Sequence, residues 1–268
     1  MPTPFEYAPA PESRSVVDIA SSYGLFIDGA FVEGTGTSIK SINPATEEVL
    51  AEISVASDAD VDRAVKAARR AYTRVWSKTS GAERAKYLYR IARLVQERSR
   101  ELAVLETLDN GKPIKESRDV DIPLVAAHFF YYAGWADKLE HAGFGPDPKP
   151  LGVAAQVIPW NFPLLMLAWK IAPALAAGNT VVLKPAETTP LTALLFADIC
   201  QQADLPPGVV KVAFTGSTEV GKAIARSVAG TSKKLTLELG GKAANIVFDD
   251  APIDQTVCLL YTSDAADE

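Results

Sequence analysis

The chain has 268 residues, enough for one large α/β domain or two smaller ones. A net charge of -6 and a pI near 5.1 offer no basic surface to nucleic acid or to an anionic membrane. Cys200 and Cys258 are far apart and in no CxxC, and His128 and His141 lack ligand spacing, which argues against a disulfide framework or a zinc site.

Residues 1–20 carry prolines and charges but no apolar run of the signal-peptide kind, and read as a flexible arm. A reducing cytoplasm is the default location. Leu25–Ile27 and Ala30–Val32 flank Asp28-Gly29, the pattern of a hairpin with a type I′ turn. Val49–Val55 alternates like a strand. Ser57 and Asp60, then Ser80 and Glu83, have capping-box spacing ahead of helical faces. The first face is Val61, Ala64, Val65 and Ala68. The second is Leu88, Ile91, Leu94 and Val95. A further helix stops at Asn110-Gly111, before Pro113. The aromatic stretch from Val120 to Leu139 reads as core packing.

From Leu151 onward the texture changes to strands alternating with helices. Strands are expected over Val153–Ile158, Thr180–Leu183, Val209–Phe214, Leu235–Leu239 and Asn245–Phe248. Helices are expected from Pro163 to near Gly178, from Thr189-Pro190 with Thr as cap, and over Ser217–Val228. The apolar stretch Phe162–Ala177 is too short to span a membrane and is interrupted by Lys170 and Pro173. The fold class is therefore α/β, a Rossmann-like open parallel sheet flanked by helices.

Parallel sheets bind ligands beyond the carboxyl ends of their strands, so those ends hold the candidate site. Asn161, held between Pro159 and Pro163, is either an oxyanion donor or a turn residue that caps the next helix. Lys184 and Glu187, three apart after a strand, either grip the hydroxyls of a ribose or form a solvated ion pair. Gly216, Ser217 and Gly221 form either a pyrophosphate-binding turn at a helix N-terminus or an ordinary glycine turn with a cap. Glu238, in an apolar strand before Gly240-Gly241, is either a general base with a raised pKa or an edge-strand residue facing water.

Taken together, PWNFP at 159–163, GNTVVLKPAE at 178–187, FTGSTEVG at 214–221 and LELGGK at 237–242 resemble the NAD(P)-dependent aldehyde dehydrogenases. The resemblance runs from about residue 20 to 257. It implies oxidation of an aldehyde to an acid through a Cys thiohemiacetal and thioester. Asn161 then matches the oxyanion donor and Glu238 the base that activates water. Lys184 and Glu187 match the residues on the adenosine ribose, with NAD favoured over NADP because Glu187 repels a 2′-phosphate. Gly216, Ser217 and Gly221 match the turn over the pyrophosphate. Ile158 and Trp160 match positions whose backbone lines the cofactor site, and Lys170 matches a Lys near the base. The implied partners are a small aldehyde and, for the full-length protein, further copies of itself; neither nucleic acid nor a membrane is implied.

The chain departs from the family pattern in two places. The nucleophilic Cys is expected roughly thirty-odd residues after the general base, beyond residue 268, and the catalytic domain with it. Residues 258–268 depart from the pattern and read as a non-family tail. About twenty residues, one strand and helix, are missing between Val210 and Lys211, leaving the sheet incomplete with a gap or exposed apolar neighbours. The alternative to an enzyme in partial form is a non-catalytic dinucleotide-binding or assembly module.

Overall fold

The computed structural model describes residues 13–143, 145–212 and 226–231, and the chain divides into two compact units, 1–214 and 215–268. The first unit opens with β1 (Ser22–Tyr23), β2 (Leu25–Ile27) and β3 (Ala30–Val32). β2 and β3 form the expected hairpin. Both of its turn residues take positive φ, Asp28 at 58° and Gly29 at 82°. That is the type I′ geometry, which matches the twist of the two strands. β4 (Ser38–Ile42) and β5 (Val49–Ser54) follow. β5 is the centre of a three-stranded sheet, parallel to β1 and antiparallel to β4. Within the stretch expected as an arm, 14–16 make a 3-10 turn, and Val17 and Ile19 pack on the core.

Three long helices come next: α1 (Asp58–Arg74), α2 (Gly81–Glu97) and α3 (Ser99–Asn110). Ser57 and Asp60 form the full capping box of α1. Asp60 also accepts from the Thr35 amide and hydroxyl, both at 2.8 Å. Burial pushes its pKa up, but the bonds from Thr35 and Ser57 outweigh that and hold it well below the usual carboxylate range. The second box is only half formed. Ser80 accepts from the Glu83 amide, while the Glu83 carboxylate pairs with Lys86 at 2.6 Å. An exposed Glu with a Lys one turn ahead has a charged partner that competes with the cap. α1 buries Ala64, Ala67, Ala68 and Ala71, and Val65 is exposed instead of inward. α3 ends as expected at Gly111, with φ 85°.

A short α4 (Ile114–Glu116) and a π-helical turn over Ser117–Asp121 lead into α5 (Ile122–Trp135). Of the aromatic stretch, Phe129 is fully buried and stacks on Phe196 at 5.5 Å, but Tyr131 is exposed. The stripe is core on one side only. β6 (Val153–Val157), α6 (Pro163–Ala176), β7 (Thr180–Lys184), α7 (Leu191–Gln202) and β8 (Val210–Val212) then alternate as expected. Arg84 of α2 donates to the carbonyls of Ala176 at 3.0 Å and Ala136 at 3.4 Å, a cation at the C-terminal ends of α6 and α5. Among the described residues no helix is long and apolar enough to cross a membrane.

The main sheet has the order β3-β2-β8-β7-β6. β6, β7 and β8 are parallel, with helices between them, as the alternation predicts. The sheet is nevertheless mixed, because β2 lies antiparallel against β8 through Phe26 and Val212. The hairpin thus covers the edge of the strand that runs across 210/211, and β8 is paired on both sides. A hairpin with one unsatisfied ladder edge provides the hydrogen bonds that the strand needs. Residues 226–231, in the second unit, close a helical turn with Gly230 at φ 77°. The expected elements over 213–225 and 232–268 lie outside the described residues.

β8 carries a cost. Val210, Lys211 and Val212 are all buried. Lys211 Nζ donates to the Gly208 carbonyl and forms no ion pair among the described residues. Burial drives its pKa down to about 7, with Asp28 pulling it up and Arg70 pushing it down. From neutral pH up to the ordinary lysine range the unfolded chain binds a proton that the folded chain does not. Stability therefore rises with pH across that window. Lys211→Met is expected to raise stability at neutral pH by roughly 1–4 kcal/mol. It should also flatten the rise; urea denaturation of both chains at neutral and alkaline pH measures the two effects.

Candidate functional site

The site is built on the register of two parallel strands. Val157 stands opposite Lys184, and the Ile158 amide donates to the Lys184 carbonyl at 3.0 Å. β6 and β7 therefore end level, and the turns Pro159–Phe162 and Pro185–Pro190 leave the sheet side by side. Each turn feeds a helix N-terminus, α6 from Pro163 and α7 from Leu191. A region with two helix N-termini together favours an anion or a polar ligand.

Lys184 and Glu187 are brought together at 2.7 Å. The Lys side chain is 12% exposed and the Glu side chain 44%. The ammonium is nearly covered, so its pairing is fixed, while the carboxylate keeps a face toward solvent. Ile158 is buried, and Trp160 is exposed. Asn161 Oδ1 accepts from the Phe162 amide at 3.0 Å. Asn161 does not cap α6 through the second or third amide, and Phe162 makes no side-chain cap. Its Nδ2 has no partner among the described residues, which leaves two N–H bonds to donate. Lys170 forms no ion pair among the described residues; its carbonyl accepts from Gln156 Nε2 at 2.8 Å. Gly216, Ser217, Gly221 and Glu238 lie outside the described residues.

The expected Thr189 cap is not made. The helix begins at Leu191 with Pro190 as the residue before it, and the buried Thr189 Oγ1 has no hydrogen-bond partner. The acceptor at this helix end comes from elsewhere in the chain: Asp109 Oδ2 takes the Leu191 amide at 2.8 Å. Its other oxygen takes the Ser41 hydroxyl at 2.6 Å. Burial pushes the Asp109 pKa up to about 7 in spite of both bonds.

Sequence reasoning placed the end of α3 but missed what its side chains hold. Asn110 Nδ2 donates to the Trp160 carbonyl at 2.6 Å. Lys112 pairs with Asp121 at 2.6 Å and lies 4.3 Å from the centre of the Phe162 ring, a cation–π contact. Glu106 is fully buried, facing the Leu164 amide and the Thr192 hydroxyl without closing a well-formed bond to either. Desolvation raises its pKa to about 7, against the pull of Lys112 and with the push of Asp121. A signal was available: two carboxylates, Glu106 and Asp109, stand three apart on the same helix face as Leu102 and Leu105, which is buried.

Comparison with known proteins now decides the family. The chain matches the family model described as "Aldehyde dehydrogenase family" over residues 31–213 and 209–264. The chain belongs to the aldehyde dehydrogenase family. It is 44% identical over 265 residues to an aldehyde dehydrogenase of Alternaria alternata, covering 87% of this chain and 53% of that protein. It is 46% identical over 269 residues to a mitochondrial family 2 aldehyde dehydrogenase, member B4, of Arabidopsis thaliana, covering 88% and 50%. Among solved structures it is similar to the NAD+ complex of an aldehyde dehydrogenase from Bacillus cereus, at 40% identity and a TM-score of 0.78, over 90% of this chain and 56% of that one. The chain spans about half the length of the curated relatives it matches.

The chain carries Cys200 on the buried face of α7, where desolvation pushes the thiol pKa far up. A thiol held neutral in the core is not a nucleophile. Cys258 lies outside the described residues. Glu106 gives the site region a pH signature. Between the ordinary carboxylate range and about 7 the folded chain holds a proton on Glu106 that the unfolded chain releases, so this group lowers stability as pH rises. Glu106→Gln is expected to lose that slope. Its stability relative to the unaltered chain should grow from about pH 4.5 to about pH 7, read from paired denaturation curves.

Proposed function

We propose that this chain holds a nicotinamide dinucleotide across the ends of β6 and β7, and that the whole protein oxidises an aldehyde to a carboxylic acid. The observation that carries the reading is the Lys184–Glu187 pair, fixed at 2.7 Å at the end of one strand and level with the Asn161 turn at the end of the next. Lys184 and Glu187 would hold the hydroxyls of the adenosine ribose, the Glu through its exposed oxygen. The backbone of Ile158 and Trp160 would line the cofactor. Gly216, Ser217 and Gly221 would present amides to the pyrophosphate. The Bacillus cereus relative is an NAD+ complex, which supports a dinucleotide here. A carboxylate at 187 repels a 2′-phosphate, so NAD is preferred over NADP.

When bound, the nicotinamide supplies a hydride acceptor. This chain's residues do the rest of their share by position. Asn161 Nδ2, unengaged while Oδ1 is tied to the Phe162 amide, donates to the oxygen that gains charge as the aldehyde is attacked. Glu238 takes the proton from the water that hydrolyses the Cys thioester. The nucleophile is not Cys200, whose thiol is buried. We therefore read this chain by itself as binding the cofactor without turning over aldehyde. Its domain boundaries follow the same reading: an N-terminal arm to about residue 20, then a cofactor domain interrupted near 210/211. The two family matches meeting at 209–213 support that interruption. Homo-oligomers belong to the full-length protein in this reading.

Calorimetric titration tests it. NAD+ should bind and NADP+ should bind more weakly. Lys184→Ala and Glu187→Gln should each raise the NAD+ Kd about tenfold, near 1.4 kcal/mol. Absence of NAD+ binding to the unaltered chain overturns the cofactor assignment. NADH formation by the chain alone with a short aliphatic aldehyde overturns its reading as a non-turnover module.

A further inference from the structure

The last turn of α3 touches both turns of the candidate site. Asn110 Nδ2 holds the Trp160 carbonyl at 2.6 Å, next to Asn161. Asp109 Oδ2 holds the Leu191 amide at 2.8 Å, at the far end of the turn that carries Glu187. Lys112, just past Gly111, lies under the Phe162 ring while paired with Asp121. Neither α6 nor α7 has a side-chain cap of its own, and this one helix end sends a side-chain hydrogen bond to each turn.

We propose that Asn110 and Asp109 are positioning residues that hold the Asn161 turn and the Lys184–Glu187 turn at a set separation. Asp109 is anchored from behind by the Ser41 hydroxyl at 2.6 Å, so the support runs from β4 through α3 to the site. Two adjacent side chains on one rigid helix fix two loops relative to each other more tightly than separate caps would, because neither loop can shift without breaking a bond to the same backbone. The ligand consequences rest on the cofactor reading given above: Asn110 governs the end of the ligand beside Asn161, and Asp109 the ribose end beside Glu187.

Hydrogen–deuterium exchange on the full chain tests the bracket without any ligand. Asn110→Asp keeps the size of the side chain but has no N–H for the Trp160 carbonyl. It is expected to speed exchange over 160–166 and leave 187–194 unchanged. Asp109→Leu should do the reverse. Asp109→Asn, which keeps an acceptor for the Leu191 amide, should restore protection there. Exchange unchanged in both turns, or raised equally through α2 and α5, overturns the proposal. If Asp109→Leu does not fold, Asn110→Asp and Asp109→Asn still decide it. Titration adds a readout that a general loss of stability would not move. Asn110→Asp should raise the Kd for NAD+ about fivefold, the loss of about one hydrogen bond, and that for ADP by less than about twofold. Equal weakening of both overturns the assignment of Asn110 to one end. If the unaltered chain binds neither, the cofactor reading fails and the exchange result alone judges the bracket.

Discussion

Val157 and Lys184 facing each other across parallel strands is the constraint from which the site follows. Parallel strands in register end together, and each continues into a helix that returns over the sheet. Two helix N-termini thereby meet at one sheet edge, with their free amides pointing at the turns. Those amides need acceptors, and the side chains of the turns supply few: Asn161 Oδ1 takes the Phe162 amide, and Thr189 Oγ1 takes none. Asp109 answers that need for the Leu191 amide from a helix earlier in the chain, and Glu106 lies buried beside it. The consequence is two carboxylates in the interior with pKa values raised to about 7.

Lys211 shows the same physics with less compensation. Asp109 accepts two hydrogen bonds; Lys211 donates to a single carbonyl inside a buried strand, with the Asp28 carboxylate as the charge that favours its ammonium. A buried charge is costly unless its surroundings supply opposite charge or several hydrogen bonds. Lys211 sits in β8, the strand that the β2–β3 hairpin joins antiparallel. The mixed sheet and the buried lysine thus belong to the same strand.

Aldehyde dehydrogenase membership gives these features a common purpose in the proposed function. The candidate ribose pair and oxyanion donor sit on the two turns that α3 braces. Cys200 lies away from them, on the buried face of α7. In the proposed function this edge holds the ligand, and the buried Cys200 thiol takes no part in it.

The sequence by itself determined what depends on neighbours a few residues apart. Asp28-Gly29 made a type I′ turn, Ser57 with Asp60 a capping box, and Gly111 a left-handed helix end, because each rests on φ freedom or an i to i+3 bond. The four motifs carried the family for the same reason: they are short and contiguous. The tertiary structure alone decided the rest. Glu83 left its box for Lys86, Thr189 lost its cap role to Asp109, and the hairpin joined β8 antiparallel. The Asn110–Trp160 and Asp109–Leu191 bonds join residues 50 and 82 positions apart. No local pattern encodes such a partner, since a donor takes whichever acceptor packing brings within reach.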